Sequence, residues 1–192
     1  MFHSPSGSTQ HGLPGHSACH GHAACFYLEP AFMIDQVAKQ LQGVLHHGHA
    51  GLLMASDSTL HAVMAHRDVP GDLVWKAHAE GRLQLLEAEL CLGQLTMANK
   101  SVADHFRTLI AKRMQRLAQR FGQVHVYSEL VTLLCERDNY MDAVRLEELW
   151  VQLAHEHRYD LVCGYSMDMF TRSRNARSAE RIRRAHDRVI RC

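Results

Sequence analysis

The sequence predicts an α/β domain with a mostly parallel central sheet flanked by helices. Two apolar runs, AGLLMA at 50–55 and LVC at 161–163, are continuous, as in strands that are buried on both faces. Stripes with the helical period lie between such runs. The stretch 125–170 contains a complete strand, helix, helix, strand unit. Together these patterns place an α/β domain across most of the chain.

The composition suits a single globular domain. The chain has 192 residues, 46% of them hydrophobic and 21% charged, with a formal net charge of +1. No apolar run approaches the roughly 18 to 20 residues that span a bilayer, and the first residues lack the pattern of a secretory signal. We therefore expect a cytoplasmic protein without a membrane segment. Three of the six cysteines, Cys91, Cys135 and Cys163, lie in apolar patterns that favour buried, reduced thiols.

The chain divides into three predicted segments. Residues 1–24 are rich in His, Gly, Ser and Pro and predict a flexible arm, and 25–170 form the α/β domain. Residues 171–192 are rich in arginine and predict a helix that packs on the domain through Ile182, Ala185 and Val189. Its basic stripe favours an acidic protein partner or intramolecular pairing over nucleic acid. The stripe consists of Arg177, Arg181, Arg184 and Arg188.

The first half of the domain predicts a helix over 31–45, followed by AGLLMAS as the first strand. Two short helices come next, within 60–67 and 73–80, and Gly81 closes the second. The run LQLLE then predicts a second strand that ends at Glu87. This order of elements is typical of an α/β fold.

The second half predicts a long amphipathic helix from Val102 to Phe121, closed by Gly122, and a third strand in QVHVY. Asn139 caps a further helix with an inward apolar stripe. The other face of that helix is predicted to be solvated, and it carries Arg145, Glu147, Glu148, Gln152 and Glu156. The run DLVCGYSM supplies the fourth strand.

The predicted first strand is not followed by a phosphate-binding loop. A P-loop protein would show GxxxxGK[ST] after AGLLMA, with backbone amides and a lysine to hold phosphates. The residues present are SDSTLHAVMAHR, which contain no glycine and no lysine. We therefore expect a degenerate nucleotide site without ATP hydrolysis.

Several motifs resemble the MEDS family, the sensory domain named after methanogens, methylotrophs and the dichloromethane regulator DcmR. The segment VYSELVTLL followed by RLEELWVQLAHEHRYDLVCGY carries the resemblance, with GRLQLLEAELCL and CFYLEP before it and a weaker match at AHDRVI. The resemblance implies a KaiC/RecA-like fold that is used for signal sensing.

A small ligand is expected in the crevice at the carboxyl ends of the strands, where open α/β sheets bind ligands. The side chains predicted to reach it are Ser56, Glu87, Glu129 and Tyr165, and the resemblance adds Cys25, Tyr27 and His61. Cys25 stands where the family usually has histidine, so the ligand could differ. For Glu87 the alternative is a hydrogen-bonded or solvated group, and for His61 it is an exposed helix residue.

A metal-responsive regulator is the alternative function. The soft or borderline donors Cys19, His20, His22 and Cys25 could bind copper or zinc and order the arm against the domain. Their spacing matches no standard zinc module, so adventitious metal binding by a His-rich arm competes with this hypothesis.

Catalysis is not predicted. The sequence contains no nucleophile elbow, HExxH or CxxC element. Cys163, Glu129 and His125 lie on or beside neighbouring predicted strands, but alternate strand residues point to opposite faces, so nothing indicates that they converge. The overall prediction is a non-catalytic sensory domain that signals through a protein partner or through self-association.

Overall fold

The domain is built on one parallel sheet. The structure, a computed structural model, describes residues 21–97, 101–157, 159–168 and 176–191. Within these residues six strands lie in the order β3-β2-β4-β5-β1-β6, and every neighbouring pair is parallel. They are β1 Gly21–Tyr27, β2 Ala50–Ala55, β3 Leu83–Glu87, β4 Val124–Ser128, β5 Tyr159–Ser166 and β6 Arg188–Arg191. The predicted α/β fold with a parallel sheet between helices is confirmed.

Helices cover both faces of this sheet. One face carries α1 Pro30–His46, α2 Asp57–Met64 and α3 Gly71–Ala79. The other carries α4 Ala88–Leu95, α5 Val102–Phe106, α6 Lys112–Phe121, α7 Leu130–Glu136, α8 Tyr140–Glu156 and α9 Ala176–Arg184. A hydrophobic core lies on each face of the sheet, and alternate strand residues point into one core or the other. Ala23 packs on the α1 side, and Ala24 packs on the α8 side. None of the described helices is both long and apolar enough to cross a bilayer.

Several local signals placed these helices correctly. The predicted helix over Val102 to Phe121 is helical throughout, with a π-helical turn at Arg107–Ala111 between α5 and α6. Asn139 caps α8 by accepting a hydrogen bond from the Asp142 amide. Gly81 follows α3 and Gly122 follows α6 with φ angles of 73° and 78°, a conformation that side chains disfavour.

The position of the first strand was predicted incorrectly. AGLLMA forms β2, and the first strand is Gly21–Tyr27, so residues 21–24 of the predicted arm belong to the sheet. Ala23 and Ala24 are 1% and 0% exposed because β1 lies between β5 and β6 with helices on both faces. The rest of the predicted arm, 1–20, lies outside the described residues.

The C-terminal segment also differs from its prediction as one helix. Helix α9 ends at Arg184, and Arg188–Arg191 pairs with β1 as the edge strand β6. Arg188 and Val189 are therefore strand residues and not part of a helical stripe. Of the three residues predicted to pack on the domain, Ile182 is fully buried against the core, whereas Ala185 and Val189 are partly exposed. The domain and this segment share a single sheet.

Candidate functional site

The ligand was predicted at the carboxyl edge of the sheet, and at this edge the chain leaves the neighbouring strands β2 and β4 toward opposite faces. Glu129 occupies this position and is 6% exposed. Its Oε2 accepts a hydrogen bond from the Ser56 amide at 2.8 Å, and its Oε1 accepts one from the Tyr127 hydroxyl at 3.0 Å. Oε2 therefore links the end of β2 to the end of β4, and Oε1 is held by Tyr127 of β4 itself.

Tyr27 and Cys25 lie beside this bridge. Burial raises the pKa of the Tyr27 hydroxyl, and the negative charges of Glu129 and Glu136 raise it further. The pKa of the Glu136 carboxyl is also raised, by burial and then by Glu129. Cys25 is 1% exposed and packs in the core on the α1 side. The structure thus brings four of the predicted residues together in a tightly packed, acidic edge: Cys25, Tyr27, Ser56 and Glu129.

Glu87 lies at the start of α4, and His61 lies within α2. Glu87 is the N-cap of α4, and its carboxylate accepts hydrogen bonds from the amides of Glu89 and Leu90. His61 lies on the exposed surface of α2, where its Nδ1 donates to the carbonyl oxygen of Asp57 at 2.9 Å. These contacts match the alternatives given above, a hydrogen-bonded carboxylate and an exposed helix histidine.

Tyr165 faces the other side of the sheet, where it contacts a buried polar cluster under α8 and α9. The cluster consists of four potential metal donors, His22, Glu147, Cys163 and His186, and we call it the HECH cluster. The side chains of His22 and Glu147 are 2% exposed and that of His186 is 0% exposed. Cys163 is 1% exposed. The donors come from β1, α8, β5 and the turn after α9, so four separate parts of the chain meet here.

The donor atoms of the cluster converge. His22 Nε2 lies 3.3 Å from Cys163 Sγ and 3.3 Å from Glu147 Oε2. His186 Nε2 lies 3.7 Å from the same Glu147 oxygen. The Tyr165 hydroxyl donates a hydrogen bond to Glu147 Oε1, and His186 Nδ1 donates to the Ile182 carbonyl oxygen at 2.8 Å. The two imidazole rings are tilted at 47° to each other, with centroids 4.1 Å apart.

Burial controls the ionisation of the cluster. It raises the pKa of Glu147 to about 8, against the hydrogen bond from Tyr165, which lowers it. It lowers the pKa of His22 to about 3 and that of His186 to about 4, because a charged imidazole is poorly solvated there. The pKa of Cys163 is raised well above its usual value, also by burial. In the absence of a bound cation, these shifts favour neutral forms of all four groups at neutral pH.

A groove of about 390 Å³ between α8 and α9 leads to this cluster. Val144, Val151 and Ala185 give it an apolar lining, and Glu147 contributes to the same lining. Its rim is charged, and Arg181 Nη2 donates to Glu148 Oε1 at 2.7 Å across the two helices. The HECH cluster is therefore buried but adjoins a surface groove.

The metal set predicted from the sequence does not form one site. His22 points into the HECH cluster, whereas Cys25, three residues later, points to the opposite face of the sheet toward α1. One ion cannot bind both side chains. The other two predicted donors, Cys19 and His20, lie outside the described residues. The imagined grouping of His125, Glu129 and Cys163 is also separated, since Cys163 packs on the α8 side while His125 pairs with Asp160 at 3.1 Å.

Sequence reasoning missed the roles of Glu147 and His186. Glu147 was assigned to a solvated face, but it is 1% exposed because α9 packs over that part of α8. The sequence did contain a signal for its burial. Glu147 lies between two valines at helical spacing, Val144 and Val151, and therefore on an apolar row of the helix. His186 lies in the AHDRVI motif, which carried the weaker part of the family resemblance.

Comparisons with known proteins give the family of the chain. Among curated proteins, no relative matches. A solved structure, described as the Aeropyrum pernix ORC1 protein in complex with DNA, is similar with a TM-score of 0.41 and 15% identity. That similarity covers 86% of this chain and 45% of the other. A family model described as "MEthanogen/methylotroph, DcmR Sensory domain" matches residues 21–187. The chain therefore belongs to the MEDS family of sensory domains.

Proposed function

We propose that the domain senses a small molecule in the groove between α8 and α9 without transforming it. Binding would change how the segment formed by α9 and β6 docks on the sheet, and a partner protein or a second copy of the chain would read that change. Family membership supports a sensory or regulatory role. The observation that carries the more specific proposal is the groove itself, which places the buried Glu147 carboxyl beside a surface opening.

The dimensions and lining of the groove suit a small ligand. Ligand pockets typically have volumes of about 300–1,000 Å³, an apolar lining and a few polar groups that orient the ligand. The groove has a volume of about 390 Å³, with valines along α8 and polar side chains at its rim, Glu148, Gln152, Arg181 and Arg184. A small, mainly apolar molecule with one polar group would fit this arrangement.

The α9–β6 segment is suited to transmit the signal. Among the described strands, β6 lies at the edge and pairs only with β1, over the four positions Ala23 to Phe26. Helix α9 is attached through Ile182 and through the ion pair between Arg181 and Glu148, while its outer surface exposes Arg183 and Arg184. A ligand that wedges between α8 and α9 would alter this limited attachment, and an acidic partner surface would recognise the arginines.

The connections after the strands support the absence of nucleotide chemistry. The turn from β1 to α1 consists of Leu28 and Glu29 before Pro30, and the turn from β2 to α2 consists of Ser56. Neither contains the glycines and lysine that hold phosphates in a P-loop. A role in binding without catalysis is therefore the simpler proposal.

The acidic edge around Glu129 is the second candidate ligand site. Cys25, Tyr27 and Glu129 lie close together there, at the edge where the chain leaves β2 and β4 toward opposite faces of the sheet, and this placement favours a ligand site. The site is disfavoured by the hydrogen bonds that already engage both oxygens of Glu129. A ligand there would have to displace the bond to Ser56 or Tyr127.

Native mass spectrometry of the full chain distinguishes the two sites. We expect the purified protein to retain a small molecule, and we expect Val151→Trp, which fills the groove, to abolish that retention. Met141→Trp is the matched control, since Met141 lies on the same helix and is 86% exposed. Loss of the molecule in Glu129→Gln but not in Val151→Trp would assign it to the acidic edge. Spectra that show no retained molecule contradict the groove proposal.

A further inference from the structure

We propose that the HECH cluster binds one zinc ion and that this ion fastens the C-terminal segment to the domain. The donors are His22 Nε2, Glu147 Oε2, Cys163 Sγ and His186 Nε2. The inference is independent of any ligand in the groove, because it rests on the geometry of the buried side chains alone.

The spacing of the donors fits a tetrahedral zinc site. Zinc is bound at about 2.0–2.1 Å by histidine nitrogen, about 2.0–2.2 Å by carboxylate oxygen and about 2.3 Å by cysteine sulfur, so the donors stand about 3.3–3.8 Å apart. The contacts of His22 Nε2 with Cys163 and Glu147 are both 3.3 Å. His186 Nε2 lies 3.7 Å from Glu147 Oε2. One donor atom from each of the four residues lies within 4.8 Å of the others.

With an ionised Glu147 carboxylate, hydrogen bonds from the described residues do not account for this arrangement. Glu147 Oε2 is buried and has no hydrogen-bond partner among the described residues, although two imidazole nitrogens lie within 3.7 Å of it. A buried oxygen that is left unpaired destabilises the folded state. A cation at the centre of the cluster would satisfy this oxygen and both nitrogens together.

The geometry also differs from that of a catalytic relay. In a cysteine–histidine–carboxylate relay, the nucleophile and the carboxylate contact different nitrogens of the imidazole ring. Here Cys163 and Glu147 both approach Nε2 of His22. Cys163 is also 1% exposed, so a substrate could not reach its sulfur in this structure. Donors that point at one shared centre are expected of ligands to an ion.

Surrounding groups orient the donors as they do around metal ions. His186 Nδ1 donates to the Ile182 carbonyl oxygen at 2.8 Å, which leaves Nε2 unprotonated in the neutral ring and directed into the cluster. The Tyr165 hydroxyl donates to Glu147 Oε1, which leaves Oε2 for the ion. Zinc fits two imidazoles, one thiolate and one carboxylate, and four protein ligands make a closed, non-catalytic site.

The ion would join the two ends of the described chain. His22 is on β1, and His186 lies between α9 and β6, where the Asp187 amide donates to the His22 carbonyl oxygen at 2.8 Å. With one zinc-binding histidine on each side of this hydrogen bond, the ion would hold β6 against β1 more firmly than the backbone pairing alone does. Metal loading would therefore set how tightly the proposed output segment is attached.

Cobalt(II) titration of the full chain tests the inference. Cobalt takes tetrahedral zinc sites and gives a thiolate charge-transfer band when cysteine is a ligand, so we expect one equivalent to bind with that band and zinc to displace it. Cys163→Ser should remove the band and weaken binding by more than the roughly 10–100-fold that loss of an outer-shell partner costs. Cys25→Ser is the matched control, because Cys25 is equally buried but faces α1.

Two further variants keep the test decisive. If Cys163→Ser does not fold, Tyr165→Phe retains all four donors and should weaken cobalt binding about 10–100-fold through loss of the hydrogen bond to Glu147. Cys19→Ser/His20→Ala removes donors of the N-terminal arm and should leave the band unchanged. Absence of a bound equivalent, a band that survives Cys163→Ser, or a band lost only in Cys25→Ser or in the arm variant would overturn the inference.

Discussion

Replacement of Trp150 by alanine is expected to lower the free energy of unfolding by about 3–5 kcal/mol, the cost of truncating a large buried aromatic side chain. Trp150 is 0% exposed. Its ring packs edge-on against Phe106, with centroids 4.9 Å apart and planes at 88°. Its carbonyl oxygen accepts a hydrogen bond from the Tyr159 hydroxyl at 2.7 Å. Loss of the indole would therefore open a cavity where α5, α8 and β5 meet.

Urea denaturation followed by circular dichroism measures this effect. Trp75→Ala is the natural control, since Trp75 is the other tryptophan and is 75% exposed on α3. It should change the free energy of unfolding by less than about 0.5 kcal/mol. Equal destabilisation by the two substitutions would contradict the packing described for α8.

Gly164→Ala is expected to destabilise the protein by about 1–3 kcal/mol through overpacking. A Cβ at this position on β5 would overlap the Tyr127 hydroxyl and lie 3.2 Å from two of its ring carbons. Tyr127 cannot easily retreat, because it is 2% exposed and its hydroxyl is held between Glu129 Oε1 at 3.0 Å and Met33 Sδ at 2.7 Å. The glycine is therefore required by the close approach of the tyrosine.

A double-mutant cycle separates this clash from a general effect of alanine. Tyr127→Phe removes the overlapping oxygen, so Gly164→Ala should cost less in the Tyr127→Phe background than in the wild type. Gly43→Ala is the control, because no atom lies within 4 Å of a Cβ added there in α1. That change should stabilise the helix by about 0.5–1 kcal/mol. Identical costs of Gly164→Ala in both backgrounds would show that Tyr127 is not the cause.

The parts of the fold that were predictable are those with strong local patterns. β2, β4 and β5 are apolar runs, and α8 has both a capping residue and an apolar stripe, so periodicity and capping chemistry identified them. The fold class followed from the alternation of these elements. The family resemblance then supplied the sensory role, which no periodicity could indicate.

The strands that escaped prediction, β1 and β6, depend on distant contacts. The sequence of β1 is GHAACFY, and its small residues and histidine resemble the His- and Gly-rich stretch before it. Only the helices that cover both faces of the sheet distinguish this strand from that stretch. β6 is four residues rich in arginine, and its pairing with β1 joins positions more than 160 residues apart. The hydrogen bond from the His22 amide to Asp187 Oδ2 at 3.0 Å spans the same separation. A local pattern does not contain that information.

The candidate site was only partly predictable, because it also depends on contacts between distant parts of the chain. His22 was recognised as a potential metal ligand. Its predicted partner Cys25 lies three residues further along the same strand, so its side chain points to the opposite face of the sheet, toward α1. Glu147 was assigned to solvent because a helical pattern does not show that α9 will cover it. Four of the residues predicted to contact a ligand lie together at one edge, where the carboxyl ends of parallel strands meet: Cys25, Tyr27, Ser56 and Glu129.

Hydrogen exchange measured by mass spectrometry on the full chain and on His186→Ala tests the central claim most directly. We claim that the α9–β6 segment is a separately docked element, held through the buried cluster. The account predicts that the substitution raises exchange in 176–191 and in the facing residues of β1, while β2 and β4 keep their protection. Unchanged exchange in 176–191, or an equal loss of protection across the whole sheet, would contradict it.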